Sequence, residues 1–164
     1  MGVLIREAQP ADLPFLATLW FEGWQDAHAA IVPEALSQDR TRESFSRRLE
    51  EGIAHLRVAG PVGSPLGFTY IKGDELNQLY VGRASRGAGV AQALVVDAEA
   101  RIAAAGWPAG WLACAIGNER AARFYERSGW RRVGEMVSHL ELQHAIFPLH
   151  VWRYEKALAI ANTS

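Results

Sequence analysis

The chain has 164 residues, 49% of them hydrophobic and 21% charged, with a formal net charge of -1 at pH 7. This length predicts one domain over residues 1–164, and the composition is that of an ordinary globular protein. The near-zero net charge gives no electrostatic reason to expect nucleic acid or an anionic membrane as a partner. The single cysteine, Cys114, excludes an intrachain disulfide and a zinc site built from several cysteines.

Targeting and metal signals are missing from the sequence. The N-terminus shows no apolar run behind basic residues, and no stretch approaches the roughly 18 apolar residues of a membrane span. We therefore expect a cytoplasmic protein that does not associate with membranes. The five histidines show no metal-ligand spacing, so the sequence predicts no metal site.

The apolar periodicity predicts elements in the order β-α-α-β-β-β-α-β-α-β-β. Asp12 can cap the first helix, Gly52 ends the second and Asn118 can cap the last. The predicted strands are 3–5, 55–58, 66–72, 75–81, 111–116, 130–138 and 149–154. The second and third predicted helices are 39–51 and 89–105. This order implies an α/β fold with a mixed, mostly antiparallel twisted sheet of about seven strands and about four helices on its two faces.

The most informative segment joins the predicted strand 75–81 to the helix that follows it. Its residues Arg86-Gly87-Ala88-Gly89-Val90-Ala91 are mostly small, so the backbone can approach a bulky anion closely. The start of the helix offers that anion unpaired N–H groups and the positive end of the helix dipole. The segment therefore predicts a diphosphate site, to which Arg83 and Arg86 can add charge; their direction stays open.

Two common phosphate motifs do not fit this segment. The dinucleotide fingerprint needs a third glycine three residues after the second, and Gln92 stands there after Gly89. That fingerprint also belongs in an opening βαβ unit, whereas several elements precede this loop. The nucleotide P-loop needs Gly-Lys followed by Ser or Thr, and the chain lacks that tripeptide. Both findings argue against a nucleotide-binding protein.

The loop resembles motif A of the GNAT superfamily of acetyltransferases, Arg/Gln-x-x-Gly-x-Gly/Ala, which Arg86, Gly89 and Ala91 satisfy. A second block is similar to the family's "N…A…FY…GF" stretch and consists of Asn118, Ala121 or Ala122, Phe124, Tyr125, Gly129 and Trp130. Two blocks in the right order, separated by a helix and a strand, are more specific than either alone. The order of elements resembles the GNAT fold over nearly the whole chain.

The resemblance implies transfer of an acetyl group from acetyl-CoA to a primary amine, by direct attack in a ternary complex. The diphosphate of CoA would lie on the loop Arg86–Ala91, and Asn118 would lie near the pantetheine. The pantetheine would hydrogen-bond to the backbone of Leu79-Tyr80-Val81, because this strand splays from strand 111–116 in the family. A backbone N–H near Val81 would then face the oxyanion, and such a donor is typically worth about 3 kcal/mol.

The same resemblance assigns catalytic roles to Tyr125 and Glu75. Tyr125 would protonate the leaving thiolate, since a phenol of pKa about 10 can give its proton to a thiolate of pKa about 8.5 at modest cost. Glu75 matches the carboxylate that some GNAT enzymes use, often through water, to deprotonate the amine. Strict alternation would place Glu75 on one face with Asn77, Leu79 and Val81. The alternatives are a core aromatic for Tyr125 and a solvated hairpin turn for Glu75.

The acceptor side is less defined by the sequence. The family places the acceptor beside the loop after the first helix, which nominates Trp24 and His28 as substrate-binding residues. A small-molecule amine is the first candidate acceptor, and a peptide amine at an N-terminus or a lysine is the second. A non-catalytic CoA-binding regulatory module is the third hypothesis, and an exposed final strand would allow a homodimer. Cys114 alternates with Leu112 and Ile116, which predicts a buried, inert thiol.

Overall fold

The computed structural model describes residues 2–159, so the two ends of the predicted domain, residue 1 and residues 160–164, lie outside the described part. The strands are β1 Ile5–Glu7, β2 Leu56–Ala59, β3 Gly67–Lys72, β4 Glu75–Val81, β5 Ala109–Ala115, β6 Arg131–Glu141 and β7 Ile146–Ala157. The helices are α1 Leu13–His28, α2 Glu34–Asp39, α3 Arg42–Glu51, α4 Val90–Ala104 and α5 Glu119–Arg127.

The strands form one seven-stranded sheet with the order β1-β2-β3-β4-β5-β7-β6. Neighbouring strands are antiparallel except for β4 and β5, which run parallel. The mixed, mostly antiparallel α/β fold that the element order predicted is therefore confirmed. The one parallel pair follows from the chain path, since α4 carries the chain from the end of β4 back to the start of β5.

The structure has five α-helices where the sequence predicted about four. The predicted helix 39–51 is divided because Arg40 leaves the helical region, with ψ of 68°. Thr41 then starts a new helix, since its Oγ1 accepts a hydrogen bond from the Ser44 backbone N–H at 3.1 Å. The strand β4 has the predicted bounds, whereas β7 is longer than predicted because its pairing with β6 extends beyond the apolar residues.

Helices cover both faces of the sheet. On one face, α1 and α3 bury Trp20 and Phe45 against Phe68 of β3. On the other face, α4 and α5 bury Val95 and Ala122 against β5 and β7. Each large apolar side chain contributes about 1.5 to 3 kcal/mol by leaving water. Across residues 2–159, no helix combines the length and the apolar character needed to cross a bilayer.

Asp12 does not cap α1, contrary to the sequence prediction. Its backbone already has helical angles, φ -78° and ψ -28°, and its side chain makes no cap hydrogen bond to α1. The buried carboxylate instead accepts two hydrogen bonds from Arg6, at 2.8 and 2.9 Å, and one each from the N–H groups of Gln9 and Gly63. These contacts, the Arg6 guanidinium first, lower the pKa of Asp12 to about 2.

Asp12→Ala should lower the free energy of unfolding by about 3 kcal/mol, because it leaves the Arg6 charge without its buried partner. The pKa of Asp12 is lower when folded than its ordinary 3.8, so its stabilisation is present above that pH and is lost as the pH falls toward 2. Urea unfolding at about pH 7 and about pH 3 measures both effects. Glu155→Ala removes the more exposed ion pair with Arg153 and should cost less than about 1 kcal/mol. Equal losses in the two variants would contradict the prediction.

Candidate active site

The strands β4 and β5 pair only at their first residues. Their single register pair joins Glu75 to Trp111. The adjacent Asp74 reinforces this link, since its carbonyl accepts from the Trp111 backbone N–H at 3.0 Å and its Oδ1 accepts from the indole N–H at 3.1 Å. Beyond the link the strands part toward Val81 and Ala115, as the resemblance implied. The gap leaves backbone groups of β4 available to an extended ligand, which can bind there as an added strand would.

A cavity of about 1440 Å³ occupies this gap and continues beneath α1 and α3. The residues that the sequence analysis nominated for catalysis, for donor binding or for acceptor binding line it, with the exceptions of Ala88 and Arg83. A single drug-sized ligand typically occupies a pocket of about 300 to 1,000 Å³, so this cavity has room for two substrates. The fold thus brings nominated residues from α1, β4, α4 and α5 to one place.

The predicted diphosphate loop forms one end of the cavity. Gly89 is the residue before α4, and Gly87 and Gly89 have φ of 81° and 82°, a conformation that favours glycine. A Cβ added at either position would meet no other atom within 4 Å, so the loop is open on its outer side. The first residues of α4 line this end of the cavity, and the free N–H groups and dipole of a helix start favour negative charge.

Asp26, near the end of α1, binds the two arginines of this loop. Its carboxylate accepts hydrogen bonds from Arg83 at 2.6 and 2.8 Å and from Arg86 at 3.3 Å. These contacts, Arg83 first, lower the pKa of Asp26. Arg86 lines the cavity, whereas Arg83 does not. The sequence analysis missed Asp26, because nothing local in α1 shows which distant charge it will meet.

The strand β4 contains a β-bulge. Its pairing with β3 passes from Ile71 opposite Leu76 directly to Tyr70 opposite Gln78, so Asn77 is an extra residue without a partner. Facing residues of antiparallel strands point to the same side, and Ile71 and Tyr70 point to opposite sides. The side-chain alternation of β4 is therefore reversed at Asn77.

Because of this bulge, the Glu75 side chain lies on the opposite face of β4 from the one that the sequence predicted. Leu79 and Val81 pack toward α4, whereas Tyr80 packs toward α1. Because Asn77 is inserted between them, Glu75 and Tyr80 lie on the same face of β4. The prediction that Glu75 lies on the same face as Leu79 and Val81 is therefore wrong. The carboxylate lines the cavity and accepts a hydrogen bond from the Asn77 side chain at 3.1 Å. Glu75 thus faces the part of the cavity beneath α1 and α3.

Tyr125 lies on α5 beside β5, at the wall of the gap. Its ring centroid is 6.3 Å from those of Trp130 and Tyr154. Burial, with a smaller contribution from Cys114, raises the pKa of Tyr125 well above its ordinary value, so the phenol is protonated at neutral pH. Loss of its proton costs more than it would in water. The same dry gap raises the pKa of any thiol that leaves there. Proton transfer depends on the difference between the pKa of the phenol and the pKa of that thiol.

Two further predictions for this wall concern Cys114 and Asn118. Cys114 is buried, as predicted, and burial raises the pKa of its thiol to about 12, so it is inert as a nucleophile. Asn118 caps α5, as predicted, because its Oδ1 accepts a hydrogen bond from the Ala121 N–H at 3.3 Å. Within residues 2–159, no group of three or more His, Cys, Asp or Glu side chains is arranged to hold a metal ion.

The nominated acceptor residues Trp24 and His28 are one turn apart on α1, with ring centroids 5.3 Å apart. Burial lowers the pKa of His28 to about 4, so its imidazole is neutral at physiological pH. Two arginines that the sequence analysis did not nominate, Arg40 and Arg48, also line this part of the cavity. Arg40 follows α2, whereas Arg48 lies on α3, which is rich in charged residues and resembles a solvated surface helix in sequence.

The sequence matches the family model of the acetyltransferase (GNAT) domain over residues 24–145. This match spans most of the chain, and the chain therefore belongs to the GNAT family of acetyltransferases. A search of curated proteins gave no match.

Solved structures share the fold over nearly the whole chain. A GCN5-related N-acetyltransferase from Rhodopseudomonas palustris is 20% identical, with 96% of this chain and 97% of that chain covered and a TM-score of 0.75. PaiA N-acetyltransferase from Thermoplasma acidophilum, in complex with CoA, is 20% identical, with 96% and 99% covered and a TM-score of 0.71. YncA from Salmonella typhimurium, with acetyl-CoA, is 14% identical, with 97% and 95% covered and a TM-score of 0.68. At these identities the likeness shows the fold.

Proposed function

We propose that this protein transfers an acetyl group from acetyl-CoA to the primary amine of a small molecule, by direct attack in a ternary complex. The observation that carries the proposal is the gap between β4 and β5, which is closed at Glu75 and Trp111 and open at Val81. It joins the anion-binding end at α4 to the compartment beneath α1 and α3. Two compartments joined by a gap suit a reaction between two substrates held at once.

The donor would bind along β4. Its diphosphate would accept hydrogen bonds from the backbone N–H groups of the loop Arg86–Ala91. The Arg86 side chain would donate a further, charge-assisted hydrogen bond. Its pantetheine would pair with the backbone of Leu79-Tyr80-Val81, and Asn118 would stand on the opposite wall. Membership of an acetyltransferase family and the CoA-bound structures of the same fold support acetyl-CoA as the donor.

The chemistry needs a neutral amine, a stabilised oxyanion and a proton for the leaving sulfur. Glu75, directly or through water, would remove a proton from the ammonium group. The amine nitrogen then bonds to the thioester carbon, and the carbonyl oxygen takes the negative charge beside a backbone N–H near Val81, a donor worth about 3 kcal/mol. As the carbon–sulfur bond breaks, the Tyr125 hydroxyl gives its proton to the sulfur, and the excess proton on the nitrogen passes through water to the tyrosine oxygen, which leaves a neutral amide and a free thiol.

Donor binding and turnover test this proposal separately. Acetyl-CoA at about 100 times its dissociation constant should stabilise the fold by about 2.7 kcal/mol and raise the melting temperature, whereas NAD and ATP should not. Acetyl-CoA incubated with a panel of primary amines and peptides should release free thiol with at least one small amine. A melting shift with NAD and none with acetyl-CoA would contradict the donor. A shift without thiol release from any amine would favour a non-catalytic CoA-binding module.

Glu75→Gln should lower kcat/KM for the amine by about 100-fold at neutral pH, because the variant cannot remove the ammonium proton. The loss should shrink as the pH approaches the pKa of the amine, where free amine is abundant without a base. Thiol-release rates over a pH series measure both effects. Glu51→Gln removes an exposed carboxylate of the same cavity and is the matched control. A pH–rate profile identical to that of the wild type would return Glu75 to a structural role in the hairpin.

A further inference from the structure

Arg48 of α3 presents a positive charge to the cavity without a protein partner. Its guanidinium carbon lies 4.5 Å from the ring centroid of Trp20 and 5.9 Å from that of Phe45. Within residues 2–159 it makes no hydrogen bond and no ion pair. Burial is the main cause that lowers its pKa to about 10. A cation partly withdrawn from water without a counter-ion is costly, so the site favours a ligand that supplies one.

The neighbouring Arg40 differs from Arg48 in being satisfied by the protein. Only 6% of Arg40 is exposed, its Nη1 donates to the Glu141 carbonyl at 3.1 Å, and it pairs with Asp39 at 3.2 Å. Arg40 also lowers the pKa of Arg48, since the two positive charges repel each other. Of these two neighbouring cations, the protein neutralises Arg40 and leaves Arg48 without a counter-ion.

The position of Arg48 relates it to the reacting part of the site. Trp20, on which the guanidinium lies, has its ring centroid 6.4 Å from that of Tyr80, in the parted segment of β4. Tyr80 and Glu75 share a face of β4, so Arg48 and Glu75 border the same compartment. Apolar side chains of Trp24 and Leu36 complete its wall. The compartment thus has a cation, a carboxylate and apolar surface between them.

We propose that Arg48 binds a carboxylate of the acceptor, so that the acceptor is an amino acid. This inference rests on the proposed function, because it names the substrate of the same site. A carboxylate offers two coplanar oxygen atoms that match the guanidinium fork, and the Trp20 ring beneath the guanidinium holds its plane. With the carboxylate on Arg48, the ammonium group of the same molecule extends toward Glu75 and the gap.

The test compares each of the common amino acids with its own primary amide in the thiol-release assay. At least one amino acid should exceed its amide in kcat/KM by about tenfold or more, because the amide lacks the charge that Arg48 requires. Arg48→Met should lower kcat/KM for that amino acid by about 10- to 100-fold and leave the amide nearly unchanged. Arg48→Lys keeps the charge without the fork and should give an intermediate loss.

Controls separate this role from effects on folding and on donor binding. Arg123→Met removes an exposed arginine of α5 that does not line the cavity, and it should keep the preference for the acid. The affinity of Arg48→Met for acetyl-CoA should match that of the wild type, which also shows that the variant is folded. A parallel loss of acetyl-CoA affinity would assign Arg48 to the donor and overturn the inference.

A binding measurement keeps the inference testable without turnover. In the presence of CoA, calorimetry should detect binding of the N-acetylated amino acids to the wild type, much weaker binding to Arg48→Met, and weak binding of the N-acetylated amides to both. Amides that match the acids in both assays would overturn the inference while the proposed function stands. Acid-selective binding that depends on Arg48, without acetylation of any amine, would support the carboxylate site and contradict the proposed function.

Discussion

Tyr125→Phe should lower kcat by about 100- to 10,000-fold while the dissociation constant of acetyl-CoA stays nearly unchanged. The change removes one hydroxyl from the wall of the gap and keeps the ring that packs on Trp130 and Tyr154. Without the proton of the Tyr125 hydroxyl, the leaving sulfur must depart as a thiolate in a dry environment. Thiol release at saturating substrates measures kcat, and calorimetry measures acetyl-CoA binding.

A change of leaving group distinguishes the acid role of Tyr125 from simple packing. An acetyl thioester whose thiol is more acidic than that of CoA needs less proton donation, so it should react with Tyr125→Phe at a rate closer to that of the wild type. Tyr70→Phe removes a phenol that does not line the cavity, and its kcat should not change. Full turnover by Tyr125→Phe with acetyl-CoA would leave Tyr125 as a core aromatic.

Gly89→Asp should weaken acetyl-CoA binding by about 10- to 100-fold, because it places a negative charge beside the diphosphate at the start of α4. Asp is among the few residues that tolerate the positive φ of this position, and no atom lies within 4 Å of an added Cβ. Gly89 is exposed, so the fold should persist. Calorimetric titration with acetyl-CoA measures the loss.

Gly89→Asn is the matched control for this variant, since it has nearly the same shape and backbone preference without the charge. The Asp variant should bind acetyl-CoA more weakly than the Asn variant, and added salt should reduce the difference by screening the repulsion. Equal affinities in the two variants would mean that the diphosphate binds elsewhere. Circular dichroism and the melting temperature verify that both variants are folded.

Local features of the site could be predicted from the sequence because neighbouring residues determine them. The small residues after β4 predict a loop that leaves its backbone open, and the structure shows positive φ at Gly87 and Gly89. Asn118 precedes an amphipathic helix and caps it. The alternation around Cys114 correctly predicts a buried thiol.

Features that depend on distant partners could not be predicted in this way. The bulge at Asn77 arises from the pairing of β4 with β3, so β4 alone reads as regular alternation. Asp12 has the sequence position of a cap, yet Arg6 and the loop at Gly63 engage its carboxylate. Arg48 belongs to a helix of charged residues, and its packing on Trp20 of α1 turns it from the outer surface into the cavity, where it is half-buried. In each case tertiary contact overrides the local pattern.

The bulge at Asn77 makes the wall of the cavity depend on how the hairpin is paired. A chain that lost Asn77 would keep Leu76 opposite Ile71 and Gln78 opposite Tyr70, so Glu75 would keep its face. A chain that gained one residue in β3 opposite Asn77, with the pairing toward Val81 unchanged, would restore regular alternation over the full length of β4. Glu75 would then turn toward the apolar layer under α4, and Leu76 would turn toward the compartment that Arg48 borders. A one-residue insertion in β3 at this point, when related chains are aligned, is therefore a change of chemistry rather than of strand length.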